Sequence, residues 1–151
     1  MTTDNEPERL ALLRFPARAD RLKLVRGLVT AAVRMCECDE ALERDVVLAV
    51  DEACQNVVRH AYPAGVEGDA ELEILRDGIV LVFRLRDFGP KVDASCLRPG
   101  KLKPNALNGR GLHFIHDIMD EVGCLTPSDG TGNLLEMRKR LNPCGTPRNE
   151  T

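Results

Sequence analysis

The chain has 151 residues, 43% of them hydrophobic and 30% charged, a balance that suits one globular domain with a core of its own. Aromatic residues make up 3%, with one Tyr and no Trp, so the core must be aliphatic and recognition of single-stranded nucleic acid by base stacking is disfavoured. A formal net charge of -3 gives no footprint for DNA phosphates, and no stretch approaches the roughly 20 apolar residues that span a bilayer. The acidic start MTTDNEPE is the reverse of a secretory signal, so the expected location is the cytoplasm. The six cysteines (36, 38, 54, 96, 124 and 144) are then expected as reduced thiols, because Cys36-x-Cys38 has no second pair at zinc-site spacing.

Residues 1–8 and 142–151 are polar and rich in turn formers and read as flexible tails around one domain, 9–141. Residues 9–15 (RLALLRF) read as a first strand ended by Pro16. From Asp20, a plausible cap, to about Cys36 the period becomes helical, with Leu22, Val25, Leu28, Val29, Ala32 and Val33 on one stripe. Asp39 caps a second predicted helix that runs to about Ala61, where Pro63 and Gly65 stop it. Its apolar stripe is Leu42, Val46, Ala49, Val50, Ala53 and Val57. Strands 71–76 and 79–86 flank Asp77-Gly78, a dipeptide suited to a type I′ hairpin turn. Residues 87–108 hold three prolines and two glycines and read as a long functional connection. A third helix is expected from about Gly111 to Glu121, then strands near 122–125 and 133–141 around the turn 127–132. The order β-α-α-β-β-α-β-β predicts an α+β two-layer sandwich, with helices on one face of a mixed, mostly antiparallel sheet.

Within the second helix Glu52 and Asn56 are four residues apart, about 40° from each other around the axis, and off the apolar stripe. A carboxylate and an amide facing a common space can hold a proton acceptor beside a hard cation, which prefers oxygen ligands and keeps several waters. The same spacing also describes a solvated helix face, a common arrangement. Downstream, Asp87 ends a strand and Gly89 permits a tight turn beside it. Gly109 and Gly111 stand where the long loop enters the third helix, a position at which free backbone N–H groups bind anions, with the fixed charge of Arg110 between them. No Walker A lysine motif is present.

Three segments carry a resemblance: Asp51–Tyr62 (DEACQNVVRHAY), Arg86–Pro90 (RDFGP) and Gly109–Val122 (GRGLHFIHDIMDEV). Together and in this order they resemble the ATP-binding domain shared by gyrase, histidine kinases and mismatch-repair ATPases (the histidine-kinase-like ATPase or Bergerat fold). Within it, the chain is most similar to bacterial anti-sigma factor serine/threonine kinases. The resemblance implies that Glu52 is the general base for a serine or threonine hydroxyl and that Asn56 is the Mg²⁺ ligand. It implies that Asp87 accepts a hydrogen bond from the adenine amino group, with Gly89 clearing space for the base. Gly109, Arg110, Gly111 and Leu112 would line ATP or ADP under a lid drawn from 91–108, with Arg59 a phosphate neighbour. His60 reads as structural.

The implied partners are an anti-anti-sigma protein of the STAS type as substrate and a sigma factor to be sequestered, with no direct nucleic acid or membrane contact. A homodimer to which the first strand contributes fits the same picture. Two departures stand out: Pro90-Lys91 follows Gly89 where a second glycine is common, and Asn133 stands where a threonine contacting the nucleotide is expected. A non-catalytic nucleotide-dependent binding switch, or a separated ATPase domain of a larger signalling protein, remain the alternatives.

Overall fold

A computed structural model describes residues 6–92 and 108–142, with the backbone alone for 108–112. Strand β1 (Glu8–Pro16) leads through a 3-10 turn (Ala19–Arg21) into helix α1 (Leu22–Met35) and then helix α2 (Glu40–His60). Strands β2 (Asp69–Asp77) and β3 (Val80–Asp87) form a hairpin; helix α3 (Asn108–Ile118) precedes β4 (Glu121–Leu125) and β5 (Asn133–Arg140). The element order is the one the hydrophobic periods predict. The sheet runs β1-β2-β3-β5-β4, and every pairing in it is antiparallel, so the mixed component expected of it is not found.

Alternation decides which face is buried. Phe15, Ala70, Leu72, Ile74, Leu81, Phe83, Leu85 and Met137 point to one side and pack with Val25, Val29, Val33, Val46, Ala49, Val50 and Ala53 of α1 and α2. The other face carries a ladder of paired charges instead. Glu73 accepts from Arg9 and Arg84, Glu136 accepts from Arg84 and Arg138, and Arg14 donates to Asp69 and Glu71. The result is two layers, with all helices on the apolar face.

Three local expectations change. Asp20 does not cap α1; it lies in the 3-10 turn and pairs with Arg18 and Arg21, while the cap residue Arg21 offers no side-chain acceptor. The hairpin turn shifts by one residue. Asp77 stays in the strand opposite Val80, leaving Gly78-Ile79 as the turn, and only Gly78 has positive φ (59°). That is the glycine-first signature of a type II′ turn, whose twist matches the flanking strands as type I′ does. Helix α3 begins at Asn108 and ends at Ile118, earlier at both ends than expected, so Gly109 lies with Gly111 in its first turn and not ahead of it. The Asp39 cap forms as expected, its carboxylate accepting from Leu42 N at 2.7 Å.

Candidate functional site

Two carboxylates are buried among the described residues, Asp51 and Asp87, each 7% exposed. A buried carboxylate needs compensation, and the two obtain it differently. Asp51 is tied into a polar chain on the α1 side of α2: Arg26 Nη1 donates to its Oδ1 at 3.0 Å and Gln55 Nε2 to its Oδ2 at 2.8 Å. Gln55 in turn accepts from Arg59 Nη2 at 2.7 Å. Asp51 is therefore a helix-to-helix anchor.

That anchor fixes the rotation of α2. With Asp51 turned to α1, Glu52 sits about 100° and Asn56 about 140° further round the axis. This turns the pair away from the side of the helix on which Asp51 meets α1. Glu52 is half-buried and has no hydrogen bond or ion pair among the described residues. Asn56 Oδ1 is buried and has no donor among the described residues. An orphaned amide oxygen in a folded protein calls for a missing partner. Beside a free carboxylate, a hard cation that takes one protein oxygen and several waters fits it. No group of three or more His, Cys, Asp and Glu that could hold a metal occurs among the described residues, so such a cation would lean on few protein ligands.

Asp87 is the other kind of buried carboxylate. It has no cationic partner among the described residues; its Oδ1 accepts from Gly89 N at 3.0 Å and Asn133 Nδ2 at 2.9 Å. Oδ2 takes no donor there, and so stands as an acceptor that water or a ligand must satisfy. Gly89 is needed for a reason beyond the turn. A Cβ at 89 would stand 1.9 Å from the Ala61 carbonyl oxygen, so the Asp87–Gly89 corner presses on the end of α2. The space expected beside Gly89 for a base is, on its Cβ side, filled by that carbonyl. The same corner is held by Tyr62, whose hydroxyl donates to Asp69 O and accepts from Phe88 N. The Tyr62 ring occupies the space that a side chain at Gly68 would need.

The Phe88 ring takes two guanidinium groups over it, Arg14 at 5.0 Å and Arg86 at 4.7 Å from the ring centroid. Arg86 is held by both oxygens of Asp129, and these bonds, with those from Thr131, push the Asp129 carboxyl far below its ordinary range.

Of the residues singled out from sequence, Glu52 and Asn56 share one flank of α2, and Asp87 and Gly89 sit at the end of β3 against the α2 C-terminus. Arg59 is exposed and turned along its own helix toward Gln55. Gly109, Arg110, Gly111 and Leu112 belong to the first turn of α3, where the side chains of Arg110 and Leu112 lie outside the described residues. The lid expected over 91–108 also lies mostly outside them. Sequence reasoning missed Tyr62, Gly132 and Arg26, whose roles depend on contacts 6 to 45 residues away in the chain that no motif encodes.

Comparison with known proteins bears on the family and the fold. Residues 15–139 match the family described as the histidine kinase-like ATPase domain. The chain is 30% identical over 123 residues to proteins named serine-protein kinase RsbW from Bacillus thuringiensis (strain Al Hakam) and Bacillus cereus (strain 03BB102), covering 73% of this chain and 73% of each relative. It also superposes on a crystal structure of the RsbU and RsbW domains of a Mycobacterium tuberculosis protein with a TM-score of 0.57 at 18% identity. That match covers 87% of this chain and 32% of the solved one, and it bears on the fold alone.

Proposed function

This chain belongs to the histidine kinase-like ATPase domain family, and on that premise we propose that it is an ATP-dependent serine/threonine protein kinase. Its substrate would be an anti-anti-sigma protein of the STAS type, and it would also act as an anti-sigma factor by sequestering a sigma factor in the cytoplasm. The relatives named serine-protein kinase support the reaction class. The observation that carries the site is the buried Oδ1 of Asn56, which has no donor among the described residues, one helical turn from the carboxylate of Glu52, which has no partner among them.

In this reading Asn56 supplies a neutral oxygen to Mg²⁺. When bound, the cation neutralises charge on the nucleotide phosphates. Glu52 would accept the proton of the incoming hydroxyl as that oxygen bonds to the γ-phosphorus of ATP and the bond from this phosphorus to the bridging oxygen breaks, releasing ADP. Asp87 accepts from the adenine amino group through the oxygen that internal donors leave free. The backbone at Gly109 and Gly111, in the first turn of α3, would offer N–H groups to the phosphates, with Arg110 and Leu112 beside them; Arg59, which donates to Gln55, would have to turn away from it to join them. A binding switch without chemistry has no use for a proton acceptor at 52, which favours the kinase.

The test is incubation with Mg·ATP and a STAS-type anti-anti-sigma protein. The expected product is one acid-stable phosphoserine or phosphothreonine on that partner, absent with Glu52→Ala although ATP still binds. Bound nucleotide without transfer would leave the switch, and an acid-labile product would favour a detached domain of a phosphohistidine pathway.

A further inference from the structure

Asn133 faces Asp87 directly across β3 and β5, where the two are register partners. Its amide uses every group it has on that side. Nδ2 donates to Asp87 Oδ1 at 2.9 Å and to Pro90 O at 2.9 Å, while Oδ1 accepts from Val92 N at 2.8 Å. The orientation of the amide is set by chemistry, since a backbone N–H can only donate and a carboxylate and a carbonyl can only accept. The close approach has its own requirement. Gly132, at φ 73°, lies so near the Asp87 peptide that a Cβ there would stand 2.1 Å from Asp87 O.

We infer that Asn133 is a positioning residue that sets base selectivity. It pins the Asp87 carboxylate in one rotamer, and in the same hydrogen-bonded unit it holds the root of the segment that follows Val92. The inference rests on the nucleotide-site reading above and deepens it. A carboxylate free to turn can accept from ring N–H and amino donors in several orientations, and so tolerates more than one purine. Held by Gly89 N and Asn133 Nδ2 on Oδ1, Asp87 presents a single acceptor in a fixed direction. A site built to receive one hydrogen bond rejects a base that lacks the matching donor. Selection of adenine over hypoxanthine, which has a carbonyl oxygen where adenine has its amino group, then depends on Asn133 although Asn133 need not touch the base.

Two variants separate this from a general loss of structure. Asn133→Ala removes all three bonds; Asn133→Leu keeps nearly the same volume and branching but can neither donate to Asp87 nor accept from Val92. Titration calorimetry with ATP and with inosine triphosphate gives the selectivity ratio of each folded variant. Both are expected to lose about tenfold of the wild-type ratio, the worth of one charge-assisted hydrogen bond. An unchanged ratio in either folded variant overturns the inference. Hydrogen exchange of the unmodified, ligand-free protein gives a second readout. The Val92 amide should be protected although its side chain is exposed, and exchange at the rate of a free amide overturns the tie to Val92. Asp87→Asn is the control for the underlying reading. If it keeps the wild-type ratio, or if the wild type binds no ATP, the nucleotide-site assignment itself falls. If Asp87→Asn collapses the ratio and the Asn133 variants do not, only the role of Asn133 falls.

Discussion

The phenol oxygen of Tyr62 accepts the Phe88 amide proton at 2.9 Å while its own proton goes to the Asp69 carbonyl. One hydroxyl thus joins the segment just after α2 to the start of β2 and the end of β3, the corner that presents Asp87. Burial, then the nearby Asp87 and Asp69 carboxylates, raise the phenol above its ordinary 10.0, so it remains a donor across the working range. Tyr62→Phe leaves the Phe88 amide without its acceptor. We expect a loss of about 1–2 kcal/mol in urea unfolding, with weaker ATP binding as the Asp87 corner loosens.

Gly130 and Gly132 have nearly the same φ, 74° and 73°, but a Cβ at 130 meets nothing within 4 Å whereas one at 132 strikes the Asp87 carbonyl. Gly130→Ala should cost about 1 kcal/mol, the left-handed penalty of an L residue. Gly132→Ala adds a backbone collision and should cost at least about 2 kcal/mol more by the overpacking range. Equilibrium denaturation of the two variants checks it, and equal losses would contradict the contact.

The Arg26–Asp51 pair is asymmetric: the arginine side chain is 40% exposed and the aspartate side chain 9%. Removing the arginine strands a buried charge, whereas removing the charge of the aspartate leaves a cation that water can reach. Arg26→Met should therefore destabilise more than Asp51→Asn, by about 1–2 kcal/mol against under about 1 kcal/mol after discounting for the exposed partner. Thermal or urea unfolding of both variants measures the order.

Burial pulls the Glu136 carboxyl upward, but the bonds from Arg138 and Arg84 outweigh it and hold the group below its ordinary 4.5. A depressed carboxylate contributes stability that is present above its unfolded value and is lost as pH falls through the folded one. Unfolding free energy should accordingly decline below about pH 4.5. Glu136→Gln should be less stable than the wild type at pH 7 and show a shallower decline in acid. Parallel curves for the two proteins would contradict this role of Glu136.

Cys54 is fully buried, and burial followed by the Asp51 carboxylate pushes its thiol far up, whereas Cys124 is exposed and free. Alkylation with iodoacetamide followed by peptide mass spectrometry should mark Cys124 well before Cys54. Denaturant should remove the difference.

Much of this fold can be read from periodicity. The α2 stripe Val46, Ala49, Val50 and Ala53, the Asp39 cap and the element order all follow from spacing, because burial of one face imposes a period on the residues that make it. Turn details depend on the strands they serve. Asp77 looks like a turn residue in sequence, yet its pairing with Val80 keeps it in the sheet. At the site, the i,i+4 spacing of Glu52 and Asn56 was visible, but a solvated helix face has the same spacing. What sets them apart is the buried oxygen of Asn56, unpartnered among the described residues, and the Asp51 anchor that orients the helix. Asn133 was visible as a departure from the expected threonine, but its bonds to Asp87, Pro90 and Val92 exist only once β5 pairs with β3.

The central claim is that Asn56 and Glu52 divide the work of one Mg·ATP site, the amide holding the cation and the carboxylate serving transfer. The most direct measurement is ATP affinity with and without Mg²⁺ for the wild type, Asn56→Ala and Glu52→Gln, each then assayed for phosphoryl transfer to the STAS-type partner. The account predicts that Mg²⁺ tightens ATP binding in the wild type and in Glu52→Gln but not in Asn56→Ala, and that Glu52→Gln binds without transferring. An equal gain from Mg²⁺ in Asn56→Ala, or undiminished transfer by Glu52→Gln, would contradict it.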